Sequence, residues 1–341
     1  MDVAAVFDPA EQGRLKLRNH GQNNLSILRT LDSTKYFTNL LSVSGISSIP
    51  AKEGFIIMPD TMTSIWSFFC SFSPKDSVIA ENDFVRFREK VHTDSETFWQ
   101  SGGMIDFGKV KDPRAWELER RMILSLYLTK VNSQGSTFPQ ETGLTYNSWY
   151  GRPHIEMVWW HSTHFALWGR PEILEKQMSW YLRSYRVAEQ IARRQGFKGV
   201  RWQKITDSEG RETASSVGSY LIWQQPHLIY FSELLYQAKG SSEIINKYKD
   251  LVSKTAEFMA DFAWYDSLSE RYILPGVITS QECSGPEKTF NPSFELAYWR
   301  WGLETAQKWR ERSGLKRIAS WDKVLNGLAP LPLKDGLYLG A

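Results

Sequence analysis

The 341-residue chain has two cysteines, Cys70 and Cys283, far apart in sequence. That spacing indicates no disulfide framework, and a metal site built on thiolates is not expected. There is no run of eighteen apolar residues, so nothing reads as a membrane span. Lysine and arginine form no tract, and the net charge is +3 with acids and bases interleaved. Neither nucleic acid nor a membrane surface is therefore expected as a partner. No phosphate loop, dinucleotide fingerprint or nucleophile elbow occurs. Met1 is followed by Asp2, with no basic stretch leading into an apolar one, so no secretion signal is read and the cytoplasm is favoured. What is present is a 42% apolar composition with fifteen tryptophans. That is enough for a core, which excludes global disorder, and the length allows one large domain or two ordinary ones.

The most informative stretch is PQETGLTYNSWYGRPHIEMVWWHSTHFALWGR, Pro139 to Arg170. Tryptophans at Trp149, Trp159, Trp160 and Trp168 could be plain core residues, as most are. A helical stripe would account for them. It does not account for the polar loop Gln140 to Arg152, which carries Asn147, Trp149, Tyr150 and Arg152. Loops that hold such side chains tend to be functional. Flat aromatic faces beside fixed polar groups suit a sugar, whose C–H faces stack on rings and whose hydroxyls need paired hydrogen bonds.

Residues 1–81 read as strand and loop, part of an antiparallel β-sandwich, with strands at Tyr36–Leu41, Phe55–Met58 and Ser64–Phe72. Leu17–Ser26 reads as exposed loop. A linker over 82–111 carries a short helix at Val85–Val91. From Asp112, a good N-cap followed by Pro113, the chain turns helical to its end, 112–341. Helices are expected at Asp112–Val131, Pro153–Trp168, Pro171–Gln195, Pro226–Ala238, Glu243–Phe262 and Pro292–Arg312, with a seventh from Trp321. In the first of these, Leu118, Met122 and Leu126 recur at fourfold spacing. In the sixth, Phe294, Tyr298, Trp301 and Leu303 are expected on the inner side. Trp264–Gly276 reads as a turn or small hairpin. Helices alternating with long polar loops suggest a mainly α fold of the α/α-toroid type, in which loops at one end build a pocket.

Three acids stand out near aromatic residues. Glu282 lies in the polar loop GVITSQECSGPEKTFNPS, downstream of Trp264, Tyr265 and Tyr272. Desolvation by aromatic walls can keep such an acid protonated and able to donate to a leaving oxygen. On chemistry alone an ordinary exposed glutamate explains it better. Glu141 and Glu156 are the others. Glycoside cleavage wants two carboxylates across the scissile bond, but capping or core networks serve these two equally well. His161 and His164 share a helix face at i, i+3. With no third ligand pattern they read as satisfied core histidines.

The order of segments resembles glycoside hydrolase family sixty-five and its relatives, which include the maltose, kojibiose and trehalose phosphorylases. Three stretches carry the likeness. The run from YGRPHIEMVWW to GFKGVRW resembles the family's G-H-x-F-W-D-x-E helix, its R-P-E and its G-Y-x-G-A loop. The run from QQPHLIYF to WYDSLSERY resembles its next helix pair, and GVITSQECSGPEKTFNPSFELAYW resembles G-V-T-G-P-D-E-Y with the N-N-x-Y-T-N helix. The resemblance implies an N-terminal β-sandwich, a linker and an (α/α)6 barrel. It implies direct displacement with inversion, with Glu282 as the proton donor, five residues after Val277. Asn291 matches an asparagine of the last motif, and Glu156 falls one residue from the family's aspartate. The chain departs in having Ser280, Gln281, Glu282 and Cys283 for Pro-Asp-Glu-Tyr, and Ile155 and Glu156 for Trp-Asp. About seven helices are read where the barrel pairs twelve, so a second copy or a complementary half is expected as partner.

The expected activity is thus an inverting glycoside hydrolase or phosphorylase, needing no cofactor beyond inorganic phosphate as co-substrate in the second case. Glu282 and Glu156 are the catalytic candidates. Trp149, Tyr150, Trp159 and Trp202 are candidate stacking platforms, and Arg152, His154, Gln225 and Asn291 candidate polar binders. Two other classes stay open: an inactive toroid that binds a carbohydrate or a partner, and a lyase or epimerase using Tyr146, Tyr150 or His154 as base.

Overall fold

The computed structural model describes residues 2–3, 15–31, 34–51, 54–62, 64–144, 146, 148–280 and 285–340. Glu282, Cys283 and Asn147 lie outside the described residues. The chain divides into two compact units, 1–100 and 101–341.

The first unit is two antiparallel sheets and one helix. One sheet has the order β1 (Asp2–Val3), β6 (Gly54–Met58), β5 (Ser47–Ala51). The other runs β2 (Leu15–Asn19), β3 (Asn24–Leu31), β4 (Thr34–Ser42), β7 (Phe68–Ser73). Leu25, Ile27 and Leu40 of the second sheet meet Ile57 of the first and Ile46 in one buried cluster. Antiparallel strands at this end of the chain agree with the strand-and-loop reading of residues 1–81. Leu17–Ser26 is no loop: β2 pairs with β3 through Asn19 opposite Leu25. The turn between them is closed by the His20 N–H donating to the Asn24 carbonyl. Polar side chains disguised it, because an edge strand buries one face alone. The helix foreseen at Val85–Val91 is α1 (Glu81–Gln100), and it belongs to this unit.

The second unit is helical. α2 (Ala115–Ser133) starts three residues later than Asp112 suggested, with Arg114 at its N-cap, and Asp112 accepts from the Arg114 N–H and pairs with its guanidinium. Then come α3 (Val158–Leu167), α4 (Pro171–Arg194), α5 (His227–Lys239), α6 (Ser242–Phe262), α7 (Ser293–Arg312) and α8 (Ala319–Gly327). α3, α5 and α7 pack side by side in one row, and α4, α6 and α8 in a second row against them. The two rows differ as the sequence periods do. α5 buries His227, Leu228, Ile229, Phe231, Leu234 and Leu235, residues from nearly every side. α4 and α6 each bury one stripe and turn charges outward, the pattern of a helix with one wet face. Three helical hairpins are present among the described residues, not the closed ring of twelve helices.

Trp180, Trp202, Trp299 and Trp309 fill the space between the rows, each essentially sealed from solvent. Truncating such a side chain to alanine typically costs about 3–5 kcal/mol. Close approach of the rows depends on Gly302, where an added Cβ would sit 2.8 Å from Met259 Cε and 3.3 Å from Pro226 Cβ. Two stripes differ from their sequence reading. Leu126 is buried but Leu118 is half exposed, because α2 packs on α3 and leaves Trp116, Leu124 and Tyr127 uncovered. On α7 the core face is Leu296, Trp299 and Leu303, whereas Phe294, Tyr298 and Trp301 line an open cleft.

Candidate functional site

The site grows from a strand-like pairing of two loops. The Ile155 N–H donates to the Lys204 carbonyl at 2.8 Å, the Thr206 N–H donates to the Pro153 carbonyl, and His154 bridges Ile205. This register sets Lys204 against the three-ten turn Ile155–Met157 that opens α3. Three charged or polar groups then converge. Glu156 Oε1 accepts from His154 Nε2 at 2.7 Å and lies 3.2 Å from Lys204 Nζ. His154 is fully buried, and Glu156 and Lys204 nearly so. Glu141 Oε2 stands 3.9 Å from the same His154 nitrogen. Buried charges persist only when paired, and here each carboxylate has a cation or an N–H donor. Among the described residues His154 Nδ1 has no partner, so the cluster keeps one unused hydrogen-bonding atom.

The loop from Gln140 to Arg152 forms a lid over this cluster. Gln140 holds it by bonding the carbonyls of Gly143 and Tyr146 and the N–H of Ser148. Trp149 donates its indole N–H to Glu141 and has Lys204 Nζ 5.6 Å from its ring centroid. Trp149 and Tyr150 both take positive φ, 49° and 61°, which costs a bulky residue strain that tends to gather at functional sites. Tyr150 is 88% exposed and Arg152 lies 5.4 Å over its ring.

Beside the lid lies an apolar cleft of about 390 Å³ between α3, α5 and α7. Its walls are Trp159, Trp160, Trp223, Tyr230, Phe294, Tyr298 and Trp301, with His227 at the base. The rings meet edge to face, Trp160 on Trp223 at 5.5 Å and Trp159 on Trp160 at 5.5 Å. Trp159, Trp160, Trp223 and Trp301 all line this one open space. Polar groups among the residues lining the cleft are few, and the Glu156 cluster is joined to it through the contact of His227 with the Glu156 carbonyl.

The sequence candidates therefore separate. Trp149, Tyr150, His154, Glu156 and Trp159 come together at the lid and cleft. Trp202 does not: it is 1% exposed, its indole N–H donates to the Thr255 hydroxyl and its ring packs on Tyr181 at 4.8 Å. Gln225 is a buried clamp that accepts from the Trp202 N–H and donates to the Val200 carbonyl. Asn291, at φ 52°, accepts from the Leu274 N–H and pins the approach to α7. Arg152 ties the lid to its neighbours through the Trp149 and Ala214 carbonyls. In these four the side-chain hydrogen bonds are made to neighbouring parts of the fold. Lys204, Trp223, His227 and Tyr230 were missed, although their QQPH and GVRWQK surroundings put polar residues at the mouths of apolar helices. His161 donates its Nε2–H to the Glu141 carbonyl at 2.9 Å.

Glu295, in the first turn of α7, was also missed. It is 1% exposed and, among the described residues, neither carboxyl oxygen has a partner. The helix N-terminus favours the anion, yet desolvation is larger and pushes the carboxyl up to about 7. A raised carboxyl contributes stability that is complete below the ordinary value near 4.5 and is lost as pH rises through 7. His164 and His227 act at the other end. Burial holds them down at about 4 and about 3, so their contribution is present above pH 6.5 and lost on acidification. Glu295→Gln should therefore gain on the order of 2–3 kcal/mol over the parent at pH 8 and nothing at pH 4. Urea midpoints at the two pH values measure it, and equal gains at both would show that Glu295 is solvated.

No family model and no characterised protein matches the chain. A solved structure described as "Putative kojibiose phosphorylase from human microbiome" matches with a TM-score of 0.67 at 11% identity. The match covers 96% of this chain and 48% of that one. The likeness shows a shared fold, and the chain spans about half the length of the structure it matches. Among the described residues no helix is long and apolar enough to cross a membrane.

Proposed function

We propose that the chain contributes the sugar-binding wall of an inverting glycoside hydrolase or phosphorylase that acts on a small glycoside or oligosaccharide. The observation that carries this is the buried Glu156–His154–Lys204 cluster under Trp149, set at the edge of a cleft walled by tryptophans. A glycosyl ring stacks in the cleft on Trp159 or Trp160, and its hydroxyls donate to Glu156 and Glu141. Glu156, already matched by Lys204 and His154, acts as an acceptor that orients the ring. Glu282 is the general acid, protonating the leaving oxygen while water or phosphate attacks the anomeric carbon from the opposite face. The fold shared with a protein described as a kojibiose phosphorylase supports this reading. The carbohydrate-binding module without catalysis remains the second reading, favoured by one fact: the Glu156 carboxylate is already paired with His154 and Lys204. A lyase or epimerase has less support, since His154 is locked on Glu156 and Tyr150 points into solvent.

The test is to incubate the chain with α- and β-linked disaccharides, with and without phosphate, and follow the anomeric protons by NMR. The expected result is release of a product of inverted configuration, with phosphate dependence separating phosphorolysis from hydrolysis. Binding without release would support the module. Folded protein that neither binds nor cleaves any sugar overturns the carbohydrate reading, and a product absorbing in the ultraviolet would mark a lyase.

A further inference from the structure

The cleft and the polar cluster are joined through one buried imidazole. His227 opens α5 and is sealed from solvent. Its Nε2 lies 3.2 Å from the Glu156 carbonyl oxygen. A carbonyl accepts only, so Nε2 carries the proton. In the neutral ring Nδ1 is then an acceptor, and its donor is the Tyr298 hydroxyl at 2.9 Å. Tyr298 is itself a wall of the cleft, with its ring 5.8 Å from Trp301 and 5.6 Å from Phe294. The run of bonds is therefore Tyr298 hydroxyl to His227, His227 to the Glu156 backbone, and Glu156 carboxylate to His154 and Lys204.

We infer that His227 and Tyr298 are positioning residues for Glu156, holding the three-ten turn so that its carboxylate meets the sugar in register with the cleft wall. The functional half of this rests on the carbohydrate reading; the structural half does not. A leucine at 227 would fill the core as well, but it would leave a buried carbonyl and a buried hydroxyl unpaired, which a purely space-filling residue has no need to prevent. The imidazole touches the backbone of the one residue whose side chain anchors the cluster. A packing role gives no reason for that choice of partner. Because Tyr298 bonds through its hydroxyl and lines the cleft with its ring, the two effects can be separated by substitution.

The experiment uses the full chain and its Tyr298→Phe, His227→Gln and His227→Leu variants. Nitrogen-resolved NMR of the imidazoles reports His154, and titration with the disaccharides of the panel reports affinity. Tyr298→Phe keeps the ring and removes one donor. It should shift the His227 Nδ1 signal, displace the His154 signals and weaken sugar binding by about threefold to tenfold. His227→Gln retains an N–H for the Glu156 carbonyl and should restore the parental His154 signals, whereas His227→Leu should not. His154 signals that stay put in both Tyr298→Phe and His227→Leu overturn the link. If the parent chain binds no sugar, the carbohydrate reading falls, and the link is still decided by His154.

Discussion

Lys204→Met should cost the second unit about 3–5 kcal/mol, the range for a buried ion pair that loses one partner. Methionine keeps the length and apolar stem of lysine, so packing changes little. What is lost is the ammonium 3.2 Å from Glu156 Oε1, itself 6% exposed on a pair whose carboxylate is 11% exposed. The contact with the Trp149 ring goes with it, so the lid loosens as the cluster loses its cation. Glu156→Gln made in the Lys204→Met background should recover most of the loss, because the uncompensated charge is gone. Non-additivity of that size is the signature of a directly coupled pair. Urea unfolding followed by tryptophan fluorescence measures it, since Trp66 and Trp99 are the only tryptophans before Ser101. A cost under about 1 kcal/mol would show a solvated surface pair, and the cluster could not then be a preorganised site.

The second unit was more legible in sequence than the site it carries. α4, α6 and α7 fall within two residues of their sequence bounds, because Pro171 at the first helical position, Ser241 as N-cap and the 3.6-residue stripe Ile245, Tyr248, Val252, Met259 are local signals. The hairpin at Trp264–Ile273 was legible for the same reason, from its polar turn between aromatic strands. Site membership depends on partners far along the chain. Glu156 meets Lys204 across 48 residues of sequence and its carbonyl meets His227 across 71. No period or spacing encodes such a meeting. Trp202 and Trp159 were both read from the sequence as stacking platforms. One is bonded to Thr255 inside the core and the other faces the cleft, a difference set by the loop pairing of Pro153–Ile155 with Lys204–Thr206. Glu295 was invisible for the opposite reason: an acid in the first turn of a helix looks ordinary, and only its burial makes it unusual.

That distinction bears on the remaining candidate. Glu282→Gln should lower the rate on an unactivated disaccharide by about 10²–10⁴, the usual worth of a general acid. Glu282 lies outside the described residues, but described residues before and after it are tied to the rest of the unit. Ile278 donates its N–H to the Tyr220 carbonyl at 3.1 Å, three residues before Trp223, and Pro275 bridges Phe290, four residues before Phe294. Glutamine keeps the size and polarity of the side chain and removes the transferable proton. The loss should therefore depend on the leaving group. A glycosyl fluoride, which departs without protonation, should lose little rate in Glu282→Gln and most of the deficit should reappear with the disaccharide. Glu156→Gln should behave otherwise, with a raised KM for both substrates, because hydroxyl recognition does not depend on what leaves. Rates measured with the two substrates on the two variants decide the roles. Equal losses for fluoride and disaccharide in Glu282→Gln would remove Glu282 as the acid.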